Sequence, residues 1–457
     1  MRTYELKKQA GVPLYEALYR AIRQDILSGA LQPGQKLPSK RSLSAHLEVS
    51  KITVEGAYNQ LLSQGYIRSE EKIGYFVENV QVQNCPQRTA QWEEQVVFSG
   101  VDLTGKATLE FPFSVWSHLQ RQVMLDMGET LLASVPNQGV WELRQAIANH
   151  LADFRGMQVD PRNIVIGAGT DFLYNLVIQL LGTDKVYALE EPGYGKIRKI
   201  YESAGATWQS AYLDAQGIMP GSLQGAQVLH CSASHHFPTG LVTGMGRRQA
   251  LLQWAYEQPQ RYIIEDDYDS EFRFSARPVP AMVSMDRQGR VIYMNTFSRS
   301  LAPSIRIGYV ILPDGLMAEF QKKLGFYSCT VSSFDQYTLA RFLSQGQFEK
   351  HINRQRKRYK ARRNRVLEII SNCPQAEKLR VLEQDAGLHF LLQVDTDLQE
   401  EQLAERWAQE GLKVRPLSSY YYGSQPQKQG ACLVINYAGL QEADLNRLEL
   451  AFFGLFG

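Results

Sequence analysis

The sequence predicts a chain of two folded parts, a small N-terminal winged helix-turn-helix and a large α/β domain, joined by a polar linker. Three observations carry this. Helix patterns followed by a hairpin-like run crowd into residues 1–78, a polar stretch without helical periodicity occupies residues 79–108, and from 109 to 457 helical patterns alternate with short apolar runs. At 457 residues the chain exceeds a single core, and its 44% hydrophobic content supplies more than one.

Over residues 13–29, PLYEALYRAIRQDILSG sets Leu14, Leu18, Ile22 and Ile26 on one helical stripe, opened by Pro13 and closed by Gly29. After a loop with Pro33 and Gly34, Ser39 is placed to cap a second short helix bearing Leu43 and Leu47. A turn over 48–50 leads to a third helix from about residue 51 to 64, ended by Gly65. The following YIRSEEKIGYFV reads as a hairpin, so the whole is a helix-turn-helix with a wing. Residues 1–78 hold eleven Lys/Arg against eight Asp/Glu, a surplus too small to argue for nucleic acid alone. Position argues more, because Lys40, Arg41, Lys51, Thr53 and Lys72 fall where a winged helix meets phosphates and base edges.

The stretch ILSGALQPGQKLPSKRSLSAHLEVSKITVEGAYNQLLSQGYI, with GYFV behind it, resembles the winged helix-turn-helix of the GntR family. That resemblance implies double-stranded DNA as a partner. It implies that Ser39, Lys40 and Arg41 anchor the DNA backbone, while Ser50, Lys51 and Thr53 belong to the start of the recognition helix, presented to the major groove.

The linker is rich in Gln, Asn and other polar residues, although its VVFSGVDL portion also reads as a strand of the following domain. Within that domain the strand, turn and helix of IVIGAGTDFLYNLVIQLLG aim the amides of Gly169 and Thr170 at an anion; glycines that merely permit a tight turn explain the pattern equally well. In EEPGYGK, Tyr194 follows a Pro-Gly turn. The adjacent histidines of SASHHFPTGLVTG lack a third ligand at suitable spacing, so no metal site is expected.

The stretch over residues 263–309 is the most telling. IIEDDYDSEF places carboxylates and a tyrosine just past a buried strand, suited to a protonated ring nitrogen and a phenolic oxygen, and NTFSRSLAPSIRIGY adds Ser298, Arg299 and Arg306 around a phosphate. Together they suggest a pyridoxal phosphate pocket. From about residue 325 the chain reads as a smaller α+β subdomain, with the large subdomain before it. There the basic run HINRQRKRYKARRNR is a charged helix face that buries Ile352, Tyr359 and Val366 on its other side.

In order and spacing, GAGT, EEPGY, SHHFPTG, EDDYDSEF and NTFSRSLAPSIRIGY resemble the fold-type I aminotransferase domain of the MocR family, bacterial regulators that fuse a GntR winged helix to such a domain. The resemblance covers nearly the whole chain. It implies a fold-type I PLP-dependent aminotransferase-like domain in which Asp266 pairs with the pyridine nitrogen, Tyr268 with the phenolic oxygen, and Tyr194 stacks on the ring. Gly169, Thr170, Ser298 and Arg306 would hold the phosphate, and Ser234 and His235 would line the pocket. A head-to-tail homodimer is implied as well.

Two departures bear on chemistry. Where that family has the lysine that binds the cofactor covalently, this chain has Arg299, and a guanidinium offers no free amine. Lys196 and Lys199 lie near Tyr194 in sequence but belong to a different element. Aminotransferases also clamp a substrate carboxylate with an arginine near the position of CLVINYA, which has none; Arg415 is the nearest. The expected function is therefore a DNA-binding transcription regulator that senses a small-molecule effector, pyridoxal phosphate held without a Schiff base or an amino compound. The alternative is an active aminotransferase that carries a DNA-binding domain. With a net charge of +2, five scattered cysteines and no apolar run of about 20 residues, the chain reads as cytoplasmic, with free thiols and no membrane span.

Overall fold

The computed structural model describes residues 3–4, 13–71, 73–80, 98–105, 110–274, 279–385, 387–423 and 430–456. Lys72, Cys85 and most of the predicted linker lie outside the described residues. Two units, Met1–Val96 and Val97–Gly457, each carry their own core.

In the first unit, α1 (Leu14–Leu27), α2 (Lys40–His46) and α3 (Lys51–Ser63) surround buried Leu18, Ile22, Ile26, Leu43, Val54 and Leu61. Leu14 of the predicted stripe is half-buried. Ser39 caps α2 as expected, and Ser50 caps α3 in the same way: their hydroxyls accept the backbone N–H of Ser42 at 3.1 Å and of Thr53 at 3.2 Å. The reversal between these helices uses Glu48 in the left-handed region at φ 53°. A two-residue strand, β1 (Lys36–Leu37), joins the predicted hairpin of β2 (Ile67–Glu70) and β3 (Gly74–Val77) in a sheet ordered β1-β3-β2. At two residues, β1 is too short to leave a periodic signal.

The second unit is built on an eight-stranded sheet in the spatial order Ile164–Gly167, Gly308–Ile311, Val291–Thr296, Tyr262–Asp266, Val228–Cys231, Val186–Glu191, Thr207–Asp214 and Gly217–Ile218. The strand Gly308–Ile311 runs antiparallel to both neighbours, and the five strands from Val291–Thr296 to Thr207–Asp214 run parallel. Strands such as IVIG and VLHC are buried throughout, as helices on both faces require. The apolar runs before about residue 325 supply strands of this sheet.

The later part of the unit holds the helices Ser333–Ser344 and Gln347–Asn372 and a four-stranded sheet ordered Leu379–Leu382, His389–Val394, Ala431–Asn436, Arg415–Pro416. The basic run lies on Gln347–Asn372, with Ile352, Tyr359 and Val366 buried. Several of its arginines are taken up by the unit itself: Arg362 donates to the Ala438 carbonyl at 2.7 Å, and Arg365 pairs with Glu449 at 2.6 Å. Val101–Asp102, inside the stretch read as linker, pairs in parallel with Leu412–Lys413. Among the described residues no helix is long and apolar enough to cross a membrane.

Candidate functional site

Parallel strands bring their C-terminal ends to one side of the sheet. There Glu190, Ser232, Asp266 and Thr296, with the first turn of the helix Thr170–Leu181, surround a cavity of about 320 Å³. Side chains alternate along Tyr262–Asp266, so Glu265 points to a buried arginine on one face and Asp266 into the cavity on the other. Asp266 accepts a short hydrogen bond from the Tyr174 hydroxyl and lies 3.6 Å from His230 Nε2, while its Oδ1 is buried without a partner.

The opposite end of the cavity is cationic. Gly169 caps the helix at φ 83°, and a Cβ there would stand 2.8 Å from the Arg306 guanidinium, so only glycine allows this approach. Arg306, itself left-handed at φ 50°, donates to Asp171 Oδ2 at 3.2 Å. Lys196 Nζ donates to the same oxygen at 2.7 Å. Ser298 is held by Thr296, whose hydroxyl donates to Ser298 Oγ at 3.1 Å.

Thr170, Tyr194, Asp266, Tyr268, Ser298, Arg299 and Arg306 thus all line one cavity, with Gly169 against its rim. Tyr194 meets Phe237 edge to face at 5.7 Å. Two predicted residues stand elsewhere. Ser234 and His235 are buried behind the wall and do not line the cavity: Ser234 accepts from Arg155 at 3.1 Å, and His235 Nδ1 sits 2.9 Å from Asp269 and 3.1 Å from the Tyr268 hydroxyl. His235 therefore bears on the cavity only through Tyr268. Arg415 is exposed and does not line it either.

Among the cavity residues that the sequence reading does not name, Tyr174, Lys196, Asp171 and Glu190 bear most on its chemistry. Tyr174 stands one helical turn after Thr170, so the predicted helix alone placed it on the same face. Lys196, set aside as belonging to another element, lines the cavity two residues after Tyr194, and it meets Asp171, also missed. Glu190 becomes visible only with the strand order. Burial pushes its carboxyl up to about 8, against the pull of the Ser232 N–H, and Asp266 adds to the rise.

Beneath the cavity lies a shell of buried charge. Arg155 and Asp267 pair at 2.9 Å, and the Tyr293 hydroxyl donates to Asp267 at 2.6 Å. Glu271 lies nearby with Oε2 unpartnered, and burial pushes its carboxyl up to about 8 from an ordinary 4.5. A raised folded-state value favours the protonated form. Glu271 therefore contributes stability below about pH 4.5 that is lost as pH rises through about 8. Glu271→Gln removes that loss, and its melting temperature should exceed the native one by about 2 °C or more near pH 8.5 and converge with it near pH 5. Thermal melts across that range check this; a constant offset would refute it.

In the first unit, Ser39, Arg41, Ser50 and Lys51 are exposed at the starts of α2 and α3, and Thr53 Oγ1 lies 2.9 Å from Ser50 Oγ. Lys40 is turned inward: it pairs with Glu55 at 2.7 Å and lies over the Tyr75 ring. Among the described residues no group of three or more His, Cys, Asp or Glu is arranged to hold a metal ion.

Comparison with known proteins assigns both units. Residues 94–450 match the family described as aminotransferase class I and II, and residues 14–77 match the bacterial regulatory proteins of the gntR family. Among curated relatives, the uncharacterized HTH-type transcriptional regulator YdeL of Bacillus subtilis is 35% identical over 96% of this chain and 96% of its own. The probable rhizopine catabolism regulatory protein MocR of Rhizobium meliloti is 31% identical over 98% of this chain and 96% of its own. The pyridoxine biosynthesis transcriptional regulator PdxR of Corynebacterium glutamicum is 30% identical, covering 89% and 88%. Among solved structures, a Pyrococcus horikoshii kynurenine aminotransferase superposes with a TM-score of 0.67 at 23% identity, over 78% of this chain and 90% of that one. At that identity the likeness concerns the fold.

Proposed function

Because the chain belongs to the MocR-type regulators of the gntR family, a winged helix-turn-helix fused to an aminotransferase-fold domain, we propose that its cavity binds pyridoxal phosphate reversibly and that this binding governs the DNA-binding unit. The observation that carries the reading is the pairing of an unpartnered, buried Asp266 Oδ1 at one end of the cavity with the Gly169 and Arg306 cradle at the other. These donors fit the group. Asp266 would hold the proton of the ring nitrogen, with Tyr174 fixing its other oxygen. Tyr268 would meet the phenolic oxygen and Tyr194 the ring face, and Thr170, Ser298 and Arg306 would take the phosphate, Arg306 by a charge-assisted grip. When bound, the cofactor supplies an aldehyde and an electron-withdrawing ring.

Arg299 decides between receptor and enzyme. A guanidinium offers no free amine, so Arg299 can neither bond to that aldehyde nor serve as a general base, and transamination loses the group it depends on. Pyridoxal phosphate added to the purified chain is expected to change its absorbance, and after borohydride the cofactor should still separate from the denatured protein. A stable adduct on the native chain would overturn the reading. The relative named for pyridoxine biosynthesis makes this ligand class the first to try.

For the DNA-binding unit, exposed Arg41 at the start of α2 is expected to contact a phosphate. Arg41→Ala should weaken operator binding and flatten the slope of log K against log salt by about 0.9. An unchanged slope would remove Arg41 from the interface. The reading includes a homodimer, supported by exposed Phe113, Leu125, Leu132 and Phe326 on the second unit and tested by sedimentation.

A further inference from the structure

Asp171 presents one oxygen to two cations that arrive from different elements. Lys196, from the first turn of the helix Gly195–Ser203, reaches Oδ2 at 2.7 Å, and Arg306, just after the turn Pro303–Ile305, reaches it at 3.2 Å. All three line the cavity with Thr170 and Ser298. A lysine and an arginine converging on one oxygen is the arrangement that binds a phosphate oxygen, and here a carboxylate of the chain already sits in it. The same cavity holds the buried, unpartnered Asp266 Oδ1, which points to a ligand spanning both ends.

We propose that Asp171 is an internal occupant of the anion subsite, which a ligand's phosphate must displace from Lys196 and Arg306. Lys196 is thereby a phosphate ligand, not a substitute for the missing cofactor lysine. The inference rests on the reading of the cavity as a pyridoxal phosphate site, and it supplies the regulation of that site. Charge shows the consequence. With both cations and Asp171 ionised the subsite carries +1; a phosphate dianion brings it to −1, whereas without the carboxylate the sum would be zero. A subsite weakened in this way lets its ligand exchange, as a receptor that follows free concentration requires.

The test is calorimetric titration of the full chain with inorganic phosphate, pyridoxal phosphate and pyridoxal, for the native protein, Asp171→Asn and Lys196→Gln. Asp171→Asn should tighten both phosphate-bearing ligands by about tenfold or more and leave pyridoxal unchanged. Lys196→Gln should weaken the same two by about tenfold and spare pyridoxal. Asp171→Ser repeats the first arm should the Asn variant melt early. Unchanged or weaker phosphate binding in both Asp171 variants would overturn the proposal, making Asp171 a residue that positions the cations. If the native chain then still binds pyridoxal phosphate, the functional reading survives that failure. If only the Asp171 variants bind it, the proposal stands and the native receptor reading falls.

Discussion

Arg299→Lys is expected to turn a chain that yields no borohydride-stable adduct with pyridoxal phosphate into one labelled close to stoichiometrically. The position faces the same cavity as Asp266, Tyr268, Ser298 and Arg306, so an amine introduced there meets a site whose other donors are in place. The change in reactivity is close to all or none. A guanidinium stays protonated at any working pH, whereas a lysine in a partly buried site beside other cations has its amine population raised. Mass spectrometry after reduction reads both yield and position. A lysine variant that binds the cofactor but forms no adduct would show that residue 299 does not reach the aldehyde; one that binds none would show that the cavity serves another ligand.

Much of this site is legible in the sequence. The parity of Tyr262–Asp266 sends Asp266 to one face and Glu265 to the other, and the order of motifs along the chain brings five segments to the strand ends. The Ser39 cap of the first unit is legible from spacing alone because capping is a contact over three residues, and Ser50 repeats that contact at α3. Contacts between distant elements were not legible. Lys40, expected at the DNA backbone, pairs with Glu55, fifteen residues on, a contact its own helix does not announce. Lys196 and Asp171 are 25 residues apart and meet only because of how their helices enter the cavity. Ser234 and His235 stand in the expected loop but turn behind its wall, since adjacency to a pocket motif does not say which way a side chain turns.

The scaffold behind the cavity makes the second large prediction, that Arg248→Met destabilises the aminotransferase-fold unit by about 3–5 kcal/mol. Arg248 is fully buried and donates to Glu265 at 3.1 Å, to the carbonyls of Thr243 at 2.8 Å and Ala233 at 2.7 Å, and to that of Pro280 at 3.1 Å. Glu265 is as deeply buried and also accepts the backbone N–H groups of Met282 at 2.9 Å and Val283 at 3.1 Å. Taking the arginine away leaves the Glu265 carboxylate with backbone N–H donors but no countercharge and removes the arginine's bonds to the Thr243 and Pro280 carbonyls, while the Ala233 carbonyl keeps the Thr243 N–H at 3.0 Å; the uncompensated buried charge dominates the loss. The effect should reach the ligand site, because Glu265 adjoins Asp266 and the Ala233 carbonyl belongs to the loop that follows Val228–Cys231. Thermal melts should show a fall of roughly 5–10 °C, and Arg248→Met combined with Glu265→Leu should lose less than the arginine variant alone. A double variant that loses the sum of the two single changes would mean that the pair is not coupled, and that the arginine acts through its carbonyl contacts alone.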